Sequence, residues 1–417
     1  MNSNKKETNV WHKNVPVEKS SYINTSETDI IILNEDNFKL EPYKPTMIDL
    51  FCGAGGFSVG CEWAGFQSVL GTDYFEPALK TWRYNHSNAV AVLGDIRHIT
   101  PTLLRNTLKN VGVKNINLIT GGVPCQGFSN ANRKHNDEDE RNYLFIDYMK
   151  MVKEFEPDYI ILENVSGMRS TAGGKFVEEI LKYMDELGYN AKVELLNAAE
   201  FGVPQIRRRL IFVGIKRGRG LEEQFIFPTG EFKEIFKEDN NIENLNQKCF
   251  RTVFDAISDL PELNSNEHAD KYTKEPETEY QKLMRGYVNV LVKEKVTDLF
   301  NHRAPKHPQS TIDKIRNTKP GEPMYERFKQ RIRLSYDKPS PTQLAGGIRP
   351  QFQFGHPISA RGLTIRERAR IQSFPDNYRF LGGTVQERVQ TGNAVPPLLV
   401  YAIAKEIIKD LKNTRRD

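Results

Sequence analysis

Cys125 is a candidate for covalent chemistry. It stands in a loop punctuated by glycine and proline, directly after the apolar run at residues 116–120. A thiolate there could attack a bound ligand, provided that its pKa is lowered or a base assists it. The loop holds no histidine, and His135 is expected to face solvent. The alternative is a small buried side chain, the commonest state of an isolated cysteine.

A carboxylate and two arginines form the second candidate group. Glu163 follows the apolar run at residues 159–162, and a carboxylate is costly to bury there without a partner. It therefore forms a structural ion pair, or its pKa is raised so that it acts as an acid. Arg207 and Arg209 precede the apolar run at 210–215 and share one face of an extended segment. At least one of them is expected to point at an anionic group.

A glycine-rich turn at residues 53–56 follows the apolar run at 47–51. Such a turn lets the backbone approach a nucleotide-like ligand, although it also serves tight strand-to-helix packing alone. Asp73 ends the next apolar stretch, where a carboxylate can bind ribose hydroxyls, and Asp95 follows the third. Two acids after successive strands favour an adenosine cofactor, and NAD remains possible on this feature alone.

An alternation of strands and helices must position these residues. Short apolar runs recur between residues 47 and 215, with helical spacing between several of them, as at residues 144–155 before Pro157. This pattern predicts an α/β fold with a doubly wound, mostly parallel sheet. Ligands of such sheets bind at the carboxyl ends of the strands, where the candidates above lie.

The alternation is absent from two parts of the chain. Residues 1–44 are rich in Asn, Lys, Ser and Glu, and only the run at 30–33 could add a strand. Residues 228–350 are irregular apart from a predicted helix at 253–260. Helical patterning returns at 363–373 and in a last helix with Leu399, Ile403, Ile407 and Leu411 at steps of four. We predict three parts: an extension at 1–44, an α/β domain at 45–227 plus 351–417, and a smaller irregular domain at 228–350.

The composition excludes several classes of protein. The 417 residues are 38% hydrophobic and 27% charged, as in ordinary soluble globular proteins. The sequence holds neither 18 consecutive apolar residues nor a secretory signal at residues 1–19. Its four cysteines lie far apart, which argues against a disulfide scaffold or a metal site and favours a reducing cytoplasm. A net charge of +5 fits an anionic partner without being specific for one.

Six motifs in linear order resemble the DNA (cytosine-5) methyltransferases. They are Asp-Leu-Phe-x-Gly-x-Gly-Gly at 49–56, Gly-x-Pro-Cys-Gln at 122–126, Glu-Asn-Val at 163–165, Gln-x-Arg-x-Arg at 205–209, Arg-Glu-Arg-Ala-Arg at 366–370 and Gly-Asn-Ala-Val-Pro-Pro at 392–397. The resemblance covers residues 45–227 and 350–417. It implies a Rossmann-like catalytic domain, S-adenosylmethionine as cofactor, and a target-recognition domain at 228–350.

The resemblance also implies a mechanism. Cys125 would add to C6 of cytosine, and Glu163 would protonate or hydrogen-bond N3. Arg209, with Arg207 nearby, would hold the cytosine O2. Since C6 is hidden inside a duplex, the base must be extruded into the site.

Further residues receive roles by the same resemblance. Pro124 would fix the cysteine loop, and Asn164 would orient it through hydrogen bonds to its backbone. The residues implied to bind the cofactor are Phe51, Gly53, Gly55, Gly56, Asp73, Tyr74, Asp95, Ile96 and Asn393. Among these, Asp73 would bind the ribose and Tyr74 would stack on adenine. DNA contacts are expected from Gln126, Ser129 and Arg133, while the segment at 361–370 is either a second phosphate site or a solvated helix face.

Double-stranded DNA is thus the expected partner of this chain. The chain resembles the modification enzyme of a bacterial restriction system, acting as a cytoplasmic monomer beside a restriction endonuclease that it need not contact. A tRNA cytosine-5 methyltransferase is the alternative, although the long irregular segment favours sequence-specific DNA. A catalytically silent nucleic-acid-binding protein is disfavoured by the intact Pro124, Cys125 and Glu163. A NAD-dependent dehydrogenase would have no use for that set together with the arginine pair.

Overall fold

The central feature of the fold, taken from a computed structural model, is a nine-stranded sheet. The structure describes residues 20–25, 30–35, 38–124, 144–169, 174–219, 224–234, 248–288, 290–345 and 352–414. The strands are β1 (Ser20–Thr25), β2 (Ile30–Glu35), β3 (Thr46–Leu50), β4 (Gln67–Asp73), β5 (Val90–Leu93), β6 (Leu118–Gly122), β7 (Tyr159–Val165), β8 (Tyr189–Asn197) and β9 (Arg208–Lys216).

The strand order is β1-β2-β5-β4-β3-β6-β7-β9-β8. The five strands from β5 to β7 are parallel to one another, whereas β1 and β2 at one edge and β9 and β8 at the other pair antiparallel. The predicted α/β fold with a mostly parallel sheet is therefore confirmed. Because parallel strands end at one edge, β3, β4, β5, β6 and β7 bring their following residues to a common side.

Helices cover both faces of the sheet. They are α1 (Gly56–Ala64), α2 (Glu76–Asn85), α3 (Pro101–Asn110), α4 (Leu144–Phe155), α5 (Lys175–Glu186), α6 (Val253–Ile257), α7 (Glu279–Met284), α8 (Gln309–Asn317), α9 (Ile365–Ile371), α10 (Thr384–Asn393) and α11 (Pro397–Thr414). Successive strand residues point to opposite faces. Met47 accordingly packs in the core that contains α1 and α11, whereas Ile48 packs in the core with α3, α4 and α5. No helix in the described ranges has the length and apolarity needed to cross a membrane.

The outer strands were only partly predicted. The apolar run at 30–33 forms β2 as expected, and β2 extends the sheet by pairing with β5. Strands β1 and β8 were missed because neither has a continuous apolar run. β8 lies at an edge, and most of its residues are only half-buried.

The irregular region has the short helices α6, α7 and α8 and isolated bridges, with one two-residue strand pair, β10 (Phe232–Lys233) and β11 (Lys248–Cys249). The predicted helix at 253–260 ends at Ile257, three residues early. Residues of α6 and α7 share one apolar core with α11. The boundary of a separate domain at 228–350 stays a prediction.

The segment at 361–370 differs from both sequence-based expectations. It is neither a phosphate site nor a solvated helix face, because its arginines are buried: Arg361, Arg366, Arg368 and Arg370. Arg361 forms two hydrogen bonds to Glu367, at 2.7 and 2.9 Å. Arg370 pairs with Asp376 and with Asp259 of the irregular region. These arginines therefore join parts of the fold that are distant in sequence.

Candidate active site

The glycine-rich turn begins where β3 ends. Phe51 and Gly53 have positive φ angles of 56° and 53°, and Gly55 caps α1 at a φ of 86°. This left-handed backbone reverses the chain within a few residues, which glycine tolerates and other residues resist. The turn thus directs the N-terminus of α1 toward the common edge of the parallel strands.

The glycines of the turn differ in what surrounds them. A Cβ at Gly56 would lie 2.1 Å from the carbonyl oxygen of Val395, and one at Gly55 would lie 2.4 Å from the hydroxyl of Tyr378. Close packing therefore explains both glycines. A Cβ at Gly53 would meet no atom within 4 Å, so Gly53 borders open space. Packing thus accounts for Gly55 and Gly56, whereas the backbone at Gly53 is open to approach.

Asp73 lies next to that open space at the end of β4. Its Oδ2 accepts a hydrogen bond from the Gly53 backbone at 2.8 Å, and its Oδ1 accepts one from the Phe75 backbone at 2.8 Å. Burial raises the pKa of Asp73, while these backbone hydrogen bonds oppose the rise. The carboxylate is thereby held in one orientation beside the turn.

The other predicted cofactor residues lie at two separate places. Tyr74 follows β4 and is 66% exposed. After β5, Asp95 binds Arg97, whose hydrogen bonds lower the pKa of Asp95, and Ile96 is buried. Asn393, at the end of α10, is exposed. Because β4 and β5 are adjacent, the first three residues lie along one stretch of the sheet edge.

Glu163 and Arg209 form a buried ion pair. The Arg209 Nε lies 2.6 Å from the Glu163 Oε1, and the two residues are diagonal neighbours on the paired strands β7 and β9, where Glu163 is opposite Ile211 and Arg209 is opposite Val165. Burial raises the pKa of Glu163, against the opposing charges of Arg209 and Arg207. The other oxygen, Oε2, would lie 3.4 Å from a Cβ at Gly122, the end of β6. The ion pair and the raised pKa, given above as alternatives for Glu163, are therefore both present.

Asn164 acts on the start of the cysteine loop. Its side-chain amide donates a hydrogen bond to the carbonyl of Val123 at 3.1 Å. The hydrogen bond to the loop backbone expected of Asn164 is thus present, and Pro124 follows directly. The remaining predicted residues of the loop lie outside the described residues: Cys125, Gln126, Ser129 and Arg133.

Arg207 differs from Arg209. Its Nη1 donates to the Gln343 carbonyl at 3.0 Å, and its Nη2 donates to the Gly392 carbonyl at 2.9 Å. The observed hydrogen bonds of Arg207 thus go to backbone, and it is Arg209 that meets the carboxylate. Arg207 ties the irregular region and the end of α10 to the strand that carries Arg209.

Two buried features escaped sequence analysis. Asp49, inside β3, accepts hydrogen bonds from the Ser58 and Thr120 side chains at 2.6 and 2.9 Å, and burial raises its pKa to about 6. Asp49 thereby links α1 to β6. The sequence signal for it was an acidic residue within an apolar run. Tyr378 donates to the Ala54 carbonyl at 2.6 Å from a segment 324 residues away, which no local pattern indicates.

Comparisons with known proteins show which proteins this chain is similar to. The family model described as C-5 cytosine-specific DNA methylase matches residues 45–409. The type II methyltransferase M.AgeI of Thalassovita gelatinovora is 33% identical over 423 residues, which cover 86% of this chain and 98% of that protein. M1.HphI of Haemophilus parahaemolyticus is 34% identical over 376 residues, covering 87% of each chain.

A solved structure shows the same fold. An E. coli prophage-encoded protein described as a DNA modification methyltransferase superposes with a TM-score of 0.68. It is 24% identical and covers 88% of this chain and 100% of its own. At this identity the likeness concerns the fold alone.

Proposed function

The chain belongs to the C-5 cytosine-specific DNA methylases, and we propose that it methylates cytosine in a specific double-stranded DNA sequence with S-adenosylmethionine as donor. The observation that carries this proposal is the buried pair of Glu163 and Arg209 beside Gly122. A carboxyl group with a raised pKa and a fixed cation stand where β6 leads into Pro124 and Cys125.

The chemistry begins with an attack on the cytosine ring. The thiolate of Cys125 bonds to C6, and the ring electrons move toward C5 as N3 accepts a proton or hydrogen bond from Glu163. S-adenosylmethionine, when bound, would supply an electrophilic methyl group to C5, and its sulfonium would become a neutral thioether. Loss of the C5 proton to solvent then expels Cys125 as a thiolate, and N3 returns its proton to Glu163.

The contacts of Glu163 suit this role. Burial raises its pKa, so the carboxyl form that can donate to N3 persists to higher pH than in water. Arg209 occupies Oε1, which leaves Oε2, on the side of Gly122, for the base. Arg209 also supplies donors for the cytosine O2, where negative charge develops.

The opposite part of the sheet edge fits the cofactor. Open space beside Gly53 adjoins a carboxylate, Asp73, that backbone hydrogen bonds hold in place. A fixed carboxylate suits ribose hydroxyls, and the exposed ring of Tyr74 suits stacking on adenine. We therefore assign these three residues to the cofactor, together with Phe51, Asp95, Ile96 and Asn393.

The biological setting follows from the relatives. Because relatives at 33% and 34% identity are type II methyltransferases, this chain is proposed to be the modification enzyme of a bacterial restriction system. It would protect cytoplasmic DNA against a cognate endonuclease and extrude its target base from the duplex. The same relatives leave a tRNA substrate with less support.

Bisulfite sequencing tests the proposal. DNA from cells that lack cytosine-5 methylation and express this chain should show methylated cytosines in one recurring sequence, and Cys125→Ser should abolish them, because a hydroxyl ionises far less than a thiol. A duplex with 5-fluorocytosine at that position should trap a covalent complex with the wild type only. Methylation of tRNA without DNA methylation would contradict the substrate, and trapping by Cys125→Ser would contradict the nucleophile.

A further inference from the structure

A hairpin in the irregular region presents basic and aromatic residues at the surface. Pro323 and Ile332 form an antiparallel bridge, and the Met324 backbone donates to the Arg331 carbonyl at 2.8 Å. Between them, all of residues 326–330 are exposed. They include Arg327, Lys329 and the ring of Phe328, which is 40% exposed. Glu326 offsets one of these two positive charges, so the tip of the hairpin carries a net positive charge beside an apolar side chain.

Arg331 lies directly beneath this tip. It is only 1% exposed, and its guanidinium carbon lies 4.6 Å from the ring centre of Phe328 and 5.6 Å from that of Tyr325. Within the described part of the chain, neither its Nη1 nor its Nη2 has a hydrogen-bond partner. Phe328, one of the two rings that contact the guanidinium, belongs to the exposed stretch 326–330, so part of the cover over Arg331 is an exposed loop.

This arrangement costs free energy in the unbound protein. Buried polar groups are almost always hydrogen-bonded, and an unpaired donor loses its contacts with water without replacement. The cation–π contacts of Arg331 with Phe328 and Tyr325 offset part of this free-energy cost. A guanidinium fork with two free donors is suited to paired acceptors such as the O6 and N7 of guanine or two phosphate oxygens.

We propose that Arg331 is a DNA-contacting residue, stored beneath Phe328 and turned outward when the hairpin meets DNA. Its Nη1 and Nη2 then donate to a pair of acceptors on the nucleic acid. The hairpin is connected to the active site, since the segment that follows it reaches Gln343, whose carbonyl is bound by Arg207. This inference rests on the proposed action on DNA.

Arg331→Met tests the inference in the full-length protein. Methionine keeps an apolar chain against the two rings but removes all five donors. With a duplex that carries the methylated sequence found by bisulfite sequencing, affinity should fall about ten- to a hundredfold. The thermal midpoint and the affinity for S-adenosylmethionine should stay unchanged or rise, because an unpaired buried cation is removed. Arg331→Gln should lose DNA affinity as well.

The matched control is Arg217→Met, since Arg217 is an exposed arginine just after β9, outside residues 228–350, and is paired with Asp185. It should bind DNA as the wild type does. If Arg331 contacts a guanine, replacing that guanine by 7-deazaguanine should weaken DNA binding by the wild type but not by Arg331→Met. A phosphate contact instead weakens binding to every sequence and lowers the salt slope by about 1.

Two results would overturn the inference. One is wild-type DNA affinity in both Arg331 variants. The other is a fall in thermal midpoint and cofactor affinity alongside DNA affinity, which would make Arg331 a structural residue. Failure of the wild type to bind or methylate DNA would instead contradict the proposed function.

Discussion

At the scale of single residues, the proposed mechanism depends on Glu163 as an acid. In Glu163→Gln, the side-chain oxygen can still accept a hydrogen bond from the Arg209 Nε, but the amide cannot donate a proton as an acid. Loss of a positioned acid typically lowers a rate about 10²- to 10⁴-fold, and we expect that loss in methyl transfer. Affinity for cofactor should be retained, because Asp73 ends β4 and Gly53 lies in the turn after β3, both away from β7 and β9. Single-turnover methylation and calorimetry measure the two quantities.

The pH dependence gives a second readout for this variant. Because burial raises the pKa of Glu163, the wild-type rate should fall as pH rises through that pKa, and the variant should lack this decline. Glu178→Gln is the control, since Glu178 is exposed in the first turn of α5. A Glu163→Gln rate within a few-fold of the wild type would contradict an acid role.

Sequence reasoning at the residue scale worked where a pattern is local. The alternation of residues 207 and 209 predicted a partner for Glu163, and Arg209 is that partner. Asn164 likewise contacts the backbone at the start of the cysteine loop. Arg207 and Tyr378 contact residues that are far away in sequence, so neighbouring residues held no signal for them.

At the scale of elements, the hairpin of β1 and β2 extends the sheet beyond the family match at 45–409. Ile32 of β2 is fully buried against the core that includes Val92. Ile32→Ala should lower the free energy of unfolding by about 2–4 kcal/mol, through lost burial and the cavity left behind. Urea unfolding measures this change.

The exposed Ile226 gives the matched control, because Ile226→Ala removes the same atoms from solvent-facing surface. It should change the free energy of unfolding by less than about 0.5 kcal/mol. If Ile32→Ala matches this control, the hairpin does not belong to the cooperative folding unit.

The elements themselves were predictable to the extent that their burial was periodic. The last helix follows its four-residue spacing and spans Pro397–Thr414. Helix α9 shows the limit of this reasoning, because its sequence of three arginines and a glutamate reads as a solvated face. It is buried, since distant carboxylates and carbonyls satisfy its charges. A charged helix reveals its burial only through such partners.

At the scale of the whole molecule, stability should depend on pH below neutrality. Burial lowers the pKa of His356 to about 4, and its Nδ1 accepts hydrogen bonds from the Ile358 and Ser359 backbones. In the unfolded chain this histidine binds a proton near pH 6.5, whereas in the folded protein it binds one only near pH 4. The free energy of unfolding should therefore decrease as the pH is lowered from about 6.5 to about 4, and His356 should contribute at most about 3 kcal/mol to this decrease.

Urea unfolding at a series of pH values measures this dependence. His356→Asn offers an uncharged acceptor in place of Nδ1, so its stability should fall less steeply with decreasing pH than that of the wild type. An unchanged slope in this variant would assign the dependence to other groups.

The whole molecule is also held together by contacts between its catalytic and irregular parts. Arg370 binds the Ala256 carbonyl at 2.9 Å and pairs with Asp259, and Arg366 binds the Phe300 carbonyl at 3.0 Å. These contacts join α9 to residues 253–300, at the near end of the proposed recognition region. An exchange of all of 228–350 with a relative would therefore disturb buried ion pairs unless the donor supplies a carboxylate at position 259.

A narrower exchange should separate recognition from stability. Replacing only residues 303–339 keeps Asp259 and Phe300. It also keeps His302 with its buried hydrogen bonds to Thr364 and Pro261, and Gln343, whose carbonyl accepts from Arg207. This chimera should unfold near the wild-type temperature and methylate a changed sequence, since base-edge contacts specify the site and each wrong base pair costs about 1–3 kcal/mol. Bisulfite sequencing identifies the methylated sequence, and thermal unfolding measures the stability of the chimera. A stable chimera that methylates the original sequence would place specificity elsewhere, most directly in the loop at 126–133.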